Sequence, residues 1–183
     1  MNIGAALPSI ISALAQAAKV TITDHPSSPA FVGAIDFNIA RNIPKSAPVV
    51  IDAQPHEWGV LDTPFAQANQ SAYTRIIAAD CLWMGSQHEN LARTMRWFLN
   101  EKDPSSRVWV VAGFHTGRPT VARFFETATR MGMEIEQIYE RDLNAVAEDG
   151  GEVRREWKSA REGEGPENRQ RWCVVAVLRI PPI

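Results

Sequence analysis

Apolar and polar positions along this chain switch repeatedly between two periods, one helical and one of short continuous runs. Pro8 suits a first helical turn, and Ile10, Ile11, Leu14 and Ala17 then recur at helical spacing, which predicts a helix over about residues 7–18. "KVTITDHP" follows, β-branched from Val20 to Thr23 and ending on Asp24, with Pro26 forbidding further pairing. "SPAFVGAIDFNIARN" reads as the next helix and "APVVIDAQ" as a buried strand. "TRIIAAD" is another such strand, closing on Asp80. After it, "SQHENLARTMRWFL" places Ser86 and Glu89 at capping-box spacing, with Leu91, Met95 and Phe98 on one face. "RVWVVAGF" predicts a strand, and "GRPTVARFFETATRMGM" a helix whose stripe is Val121, Phe124, Phe125, Ala128 and Met131, ended by Gly132.

The last third changes character. "EIEQIYERD" predicts a strand and "RWCVVAVLRI" a stronger one, while the charged, glycine-bearing stretch Glu148–Gln170 between them reads as an insertion loop that buries little surface. Repeated strand–helix units followed by two strands without an intervening helix predict an α/β fold. Its sheet is Rossmann-like and mostly parallel, with one antiparallel C-terminal strand. No repeat and no linker divides the chain, so residues 1–183 form a single domain on this reading.

Composition narrows the partners more than the fold. With 183 residues, 45% of them hydrophobic, and a formal charge of −2 from interspersed signs, the chain has no basic stripe for nucleic acid or an anionic membrane surface. No apolar run approaches the roughly 18 residues of a membrane span, and the first ten residues lack the basic start of a secretory signal. Cys81 and Cys173 sit in apolar strings without metal-type spacing and read as reduced core thiols, which suits a cytoplasmic protein. His25, His56, His88 and His115 show no zinc-type spacing, and neither a nucleophile elbow nor a reactive cysteine is present, so neither a metal nor covalent catalysis is expected.

Ligands of doubly wound sheets bind beyond the carboxyl ends of the strands, which directs attention to the residues that close them. Gly4 stands just ahead of the first helix, as in a nucleotide-binding turn. Asp24 closes the first strand, where a carboxylate accepts hydrogen bonds from ribose hydroxyls, or else simply forms a turn before Pro26. Trp58, past the next strand, is suited to cover an adenine or to pack in the core. Asp80 with Trp83 would place a carboxylate beside an aromatic wall, the alternative being an Asp that caps the following helix. His115 stands at the end of "VVAGF", as a base, a substrate contact or a structural histidine.

The ordered set "GAALPSIISAL", "KVTITDHP", "PHEWG", "IIAADCLWMGSQHENL", "VVAGFHTGRPTVARFFE" and "RWCVVAVLR" resembles fungal nicotinamide N-methyltransferase-like proteins. These stand in the wider group of seven-strand S-adenosylmethionine-dependent methyltransferases, which also holds lysine methyltransferases of translation factors. The resemblance runs from about residue 4 to residue 180. It implies S-adenosyl-L-methionine as cofactor, with Gly4 in the glycine turn, Asp24 on the ribose, Trp58 on the adenine side and Ala79 in backbone contact. It further implies that Asp80 and Trp83, in an acidic–x–x–aromatic string usually ended by Tyr or Phe, line the acceptor channel. The acceptor stays open between a small heteroaromatic molecule and a protein amine, attacked in line with no covalent intermediate. A non-catalytic remnant that acts as an interaction module is the alternative. A nicotinamide-dependent oxidoreductase stands third, since Asp24 would suit it while "AADCLW" and "VVAVLR" do not.

In that family a central strand precedes the glycine turn, and here the expectation is that this first core strand is absent. Its neighbours, the strands ending at Asp24 and Asp80, would then carry open edges. Such edges close on each other or pair with another chain, which predicts self-association, poor folding and weak cofactor binding.

Overall fold

The computed structural model describes residues 6–181. Among the described residues seven strands and six α-helices follow one another: α1 (Leu7–Leu14), β1 (Lys19–Asp24), α2 (Ala34–Asn42), β2 (Val50–Pro55), α3 (Pro64–Ala68), β3 (Arg75–Ala79), α4 (His88–Phe98), β4 (Arg107–Gly113), α5 (Arg118–Arg130), β5 (Glu134–Val146), β6 (Glu152–Glu156), α6 (Pro166–Arg171) and β7 (Trp172–Arg179). The expected α/β architecture is present, with helices joining parallel strands and antiparallel strands at the C-terminal end.

The strands form two sheets. β1 and β2 pair in parallel, from Lys19 opposite Val50 to Asp24 opposite Pro55. The other five stand in the order β3-β4-β7-β5-β6. β3 and β4 are parallel, whereas β7 runs antiparallel to both β4 and β5, and β6 antiparallel to β5. β3, β4 and β5 therefore point one way, and β6 and β7 the other. β7, flanked on both sides, carries the chain's most continuous apolar run, and all its residues from Trp172 to Leu178 are buried.

Among the described residues no strand ladder joins β1 to β3, and the two have not closed on each other. Side chains make the connection instead. Tyr73 Oη donates to Thr21 Oγ1 at 2.9 Å, and Lys19 Nζ to Asn69 Oδ1 at 3.3 Å.

Each sheet has its own core. Ile22 packs with Ala6, Ile10, Ala30 and Ile35 under α1 and α2. The larger core unites β3, β4 and β7 with Leu91 and Met95 of α4 and with Val121, Phe124, Phe125 and Ala128 of α5. The predicted α5 stripe is thus the buried face, except that Met131 is half-buried and lies beyond the helix as its C-cap. Gly132, at φ 84°, then turns the chain.

Four predicted elements are corrected. The first helix stops at Leu14 rather than 18, because Gln16 takes a left-handed conformation at φ 66° that no helix continues. "SPAFVGAIDFNIARN" is broken into a 3₁₀ turn, Pro29–Phe31, and α2, with Gly33 at φ 104° between them. Ser86 and Glu89 form no capping box, since Ser86 lies in the 3₁₀ turn Gly85–Gln87 and Glu89 pairs with Arg130 at 2.7 Å. Glu148–Gln170 is no mere loop. It contains β6 and most of α6, its Val153 and Trp157 pack on the main core, and the sheet consequently has two antiparallel strands rather than one.

Candidate functional site

The carboxyl ends of β1 and β3 carry most of the residues singled out by the sequence. Asp24 closes β1, is 3% exposed, and works within its own turn: Oδ1 accepts the backbone N–H of His25 at 2.8 Å and Oδ2 the Ser28 hydroxyl at 2.8 Å. A carboxylate offers about four lone-pair sites, so these two bonds leave acceptor capacity on the same group. Its backbone carbonyl extends the ladder by accepting His56 N–H at 2.8 Å.

At the end of β3 the chain turns sharply. Asp80 has φ 52°, a left-handed conformation that costs a non-glycine residue strain and recurs at functional positions. Ala79 is half-buried as the last residue of β3. The next two side chains, Cys81 and Leu82, are buried anchors, which leaves Asp80 and Trp83 exposed on either side of them. His88 fixes this loop from below, its Nε2 bonded to the Leu82 carbonyl at 2.9 Å and its ring edge-on to Phe124. Burial lowers the His88 pKa, outweighing the Leu82 bond that raises it.

The neighbouring strand end supplies a partner. His115 Nε2 lies 3.7 Å from Asp80 Oδ2, and Gly113 N–H points at Asp80 Oδ1 at 3.4 Å. A Cβ at Gly113 would stand 2.5 Å from His115 Nε2, so only glycine lets the imidazole fold back there. Asp80 and His115 thus meet across β3 and β4, a pairing that sequence separation conceals.

Trp58 is half-buried and packs on the main core. It also lines a cavity of about 160 Å³ between the facing edges of β1 and β3, together with Thr21, Thr23, Ile77, Ala78, Leu91, Met95 and Phe98. That volume is below the ~300–1,000 Å³ of ordinary ligand pockets. Neither Asp24 nor Asp80 reaches this cavity, so Trp58 and the two strand-end acids do not share one enclosed pocket. Gly4 lies outside the described residues. Cys81 and Cys173 are buried and not joined in a disulfide, and burial raises the Cys173 thiol pKa. Among the described residues no cluster of His, Cys, Asp and Glu is arranged to hold a metal, and no helix is long and apolar enough to cross a membrane.

A buried charge cluster escaped the sequence reading altogether. Glu140 of β5 is fully buried and accepts from Arg118 Nη1 at 2.6 Å and Nη2 at 3.1 Å, from Arg155 Nε at 2.7 Å, and from Arg161 Nε at 3.2 Å. Arg118, 3% exposed, also donates to Glu164 and lies 4.1 Å from the Phe114 ring centroid. Burial pushes the Glu140 carboxyl up, yet the Arg118 and Arg155 guanidiniums outweigh it and hold its pKa below the usual range. The cluster ties residues 155–164 to the start of α5, just behind His115. The signal for it was a glutamate in the middle of a strand that pairs on both sides, legible only once β6 was known.

Comparison with known proteins adds the following. No family model matches the chain. It is 29% identical over 163 residues to the protein N-terminal and lysine N-methyltransferase EFM7 of Gibberella zeae, covering 79% of this chain and 60% of that relative. Identity to the protein of the same name from Neurospora crassa is 31% over 157 residues, 76% of this chain and 54% of the relative. For the Schizosaccharomyces pombe protein it is 28% over 160 residues, 81% and 59%. The chain therefore spans somewhat more than half the length of the curated relatives it matches. Among solved structures it is similar to the (4+2)-cyclase SpnF, with a TM-score of 0.64 and 12% identity over 99% of this chain and 73% of that one. A SAM-dependent methyltransferase from Methanosarcina mazei gives a TM-score of 0.57 at 10% identity, covering 90% of this chain and 83% of that one. These likenesses give the fold, a Rossmann-like α/β methyltransferase fold, and the cyclase among them shows that the fold alone does not name a reaction.

Proposed function

We propose that this chain carries the cofactor and acceptor sites of an S-adenosylmethionine-dependent N-methyltransferase that acts on a protein amine. The observation that carries the reading is the exposed pair Asp80 and Trp83, held by a left-handed turn at the end of β3 in a chain similar over about four-fifths of its length to fungal protein N-terminal and lysine methyltransferases. The finer choice of a small heteroaromatic acceptor such as nicotinamide has no support in those relatives, whose names specify protein N-termini and lysines.

The residues at the strand ends suit the cofactor. Asp24 keeps lone pairs free for vicinal hydroxyls, and the Ala79 backbone at the end of β3 would meet the nucleoside from the other side. Trp58 would cover the adenine side, excluding water. When bound, S-adenosylmethionine supplies an electrophilic methyl group on a sulfonium. Asp80 holds the acceptor nitrogen in line, Trp83 shields it, and both act by positioning and desolvation.

Calorimetry with S-adenosylhomocysteine and a methyl-transfer assay on a panel of lysine-bearing and N-terminal peptides test this. Asp24→Ala weakens cofactor binding by about 1–3 kcal/mol, the scale of a charged acceptor's lost hydrogen bonds. Asp80→Ala lowers turnover more than cofactor affinity. Absence of binding in an N-terminally extended chain whose sheet is continuous would reject the reading. The alternative, a non-catalytic interaction module on this fold, draws on one observation, the open slot between β1 and β3; methyl transfer by residues 1–183 would remove it.

A further inference from the structure

His115 is carried on a turn that is clamped at both ends and leaves the histidine itself in the open. The Gly117 N–H donates to the Phe114 carbonyl at 2.9 Å, and Gly117 reverses the chain at φ 91°. Ahead of His115, the fully buried Phe114 ring is stacked on Trp157, with centroids 6.1 Å apart and planes 16° from parallel. Behind it, Arg118 is locked between Glu140 and Glu164, its guanidinium 4.1 Å from the Phe114 centroid. Between these fixed points the His115 side chain is 61% exposed. A histidine kept for packing or for buried hydrogen bonds would be covered. This one is held out toward Asp80, itself 58% exposed.

Stability does not account for the pairing. An ion pair between two exposed side chains contributes little, while the left-handed turn at Asp80 costs strain and Gly113 must lack a Cβ to admit the imidazole. Nor is the pair a closed hydrogen bond. The 3.7 Å from His115 Nε2 to Asp80 Oδ2 exceeds the roughly 2.7–3.2 Å of such a bond, so both atoms keep capacity for a third group. Asp80 Oδ1 is turned instead to the Gly113 N–H at 3.4 Å. The gap between Nε2 and Oδ2 admits one amine nitrogen at about 2.8 Å from each. Of the charges near this turn, Arg118 lies behind Phe114 and is matched by Glu140 and Glu164, which leaves Asp80 as the charged group that faces the imidazole.

We propose that His115 is a catalytic residue, the base that takes a proton from a lysine ammonium held by Asp80; the proposal rests on the reading of this chain as a protein-amine methyltransferase. A lysine ammonium ordinarily titrates near 10.4 and is neutral in about one molecule in a thousand at pH 7.4. A carboxylate beside it favours the charged form further. A site that captures its substrate by charge therefore needs a second group to remove that charge. His115 Nε2 accepts one ammonium proton, the freed nitrogen lone pair forms the N–C bond to the methyl group, and the C–S bond breaks with its electron pair left on sulfur. The methylated amine departs as a cation, and the imidazolium passes its proton to water. An N-terminal amine ordinarily titrates near about 7.7–8.0 and needs such a base far less. His115 thus separates the two acceptor classes, since lysine transfer depends on it and N-terminal transfer nearly does not.

The test measures kcat/KM against pH for the full chain with a lysine peptide and with a lysine-free peptide bearing a free N-terminus. On the lysine peptide the unaltered protein holds a plateau over about pH 7.5–9.5, between the ordinary ranges of histidine and lysine. His115→Gln, polar but unable to take the proton, loses about 10²–10³-fold at pH 7.5, and the loss shrinks about tenfold per pH unit as the amine deprotonates on its own. The N-terminal peptide loses less than about tenfold, and added imidazole restores part of the lysine transfer of His115→Ala. A loss that is equal at every pH or equal for both peptides is what a structural role gives, and overturns the proposal. NMR titration without cofactor separates it from the methyl-transfer reading. The His115 ring signals shift with the lysine peptide and not with its norleucine counterpart, and Asp80→Asn abolishes the shift. Unmoved ring signals in a chain that transfers methyl groups overturn the role of His115 alone, whereas moved signals with no transfer to any peptide amine overturn the methyl-transfer reading and the base role with it.

Discussion

The two sheets of this molecule begin from the same kind of unit, a parallel strand pair joined through helices, and differ in what secures them. β3 and β4 are locked by β7, which is buried along nearly its whole length, and by α4 and α5 on a core that includes Phe114, Phe124 and Phe125. β1 and β2 have α1, α2 and a core of small and aliphatic residues around Ile22, and among the described residues side-chain contacts join them to β3 and its neighbours. In the five-stranded sheet β4, β7 and β5 are paired on both edges, whereas in the two-stranded sheet neither strand is, and pairing on both edges turns a local pattern into cooperative stability.

The largest expected effect lies in the secure half. Glu140→Ala leaves Arg118 buried with only one of its two carboxylates, and breaking one side of a buried ion pair costs about 3–5 kcal/mol. Urea unfolding should register that loss over the whole five-stranded sheet, and a loss under 1 kcal/mol would mean that the cluster is more hydrated than its burial indicates. In the loose half, Ile22→Ala removes a fully buried side chain worth about 2–5 kcal/mol. Its mark should be confined, with β1 and β2 amides exchanging faster while β4 and β7 keep their protection. Uniform loss of protection would show that the halves unfold as one.

Tyr73→Phe tests the contact between them. Removing its hydrogen bonds to Thr21 and Asn69 should cost about 0.5–1.5 kcal/mol, again expressed in β1 and β2, and an unchanged exchange rate there would deny the bridge a role. The smallest expected effect is a pH dependence. Burial lowers the pKa of His56, which packs edge-on between Phe65 and Phe98 with neither ring nitrogen bonded, and of His88 in the main core. The unfolded chain therefore takes up these protons first. Their stabilisation is fully present above the unfolded value of about 6.5 and is lost as pH falls below it. Thermal midpoints should decline between pH 7.5 and 5.5, less steeply in His56→Phe, and parallel curves would exclude that histidine from the effect.

Legibility in the sequence followed the range of the interaction. The α5 stripe, the apolar β7 run and the strand ends at Asp24 and Asp80 could be read directly, because each depends on residues within a turn or a strand of one another. The breaks could not. Gln16 and Gly33 interrupt otherwise regular apolar spacing through backbone conformations that periodicity does not register, and the 3₁₀ turn at Gly85–Gln87 removes Ser86 from the cap its spacing suggested. At the candidate site, Asp80 and Trp83 could be picked out as a pair, whereas His115 joined Asp80 only when β4 was laid beside β3.

What the sequence by itself determined, then, is the alternation of strands and helices and the acids that close two parallel strands, since both are properties of neighbouring side chains. Only the tertiary structure decided that Glu148–Gln170 would fold as β6 and α6, because that charged stretch has little apolar surface of its own. It is held through Arg118 and Glu140, whose contacts reach 46 residues, from Arg118 to Glu164. The tertiary structure likewise decided that the sheet would divide between β1 and β3. An edge is open or closed according to what lies next to it in space, and no local pattern of side chains carries that information.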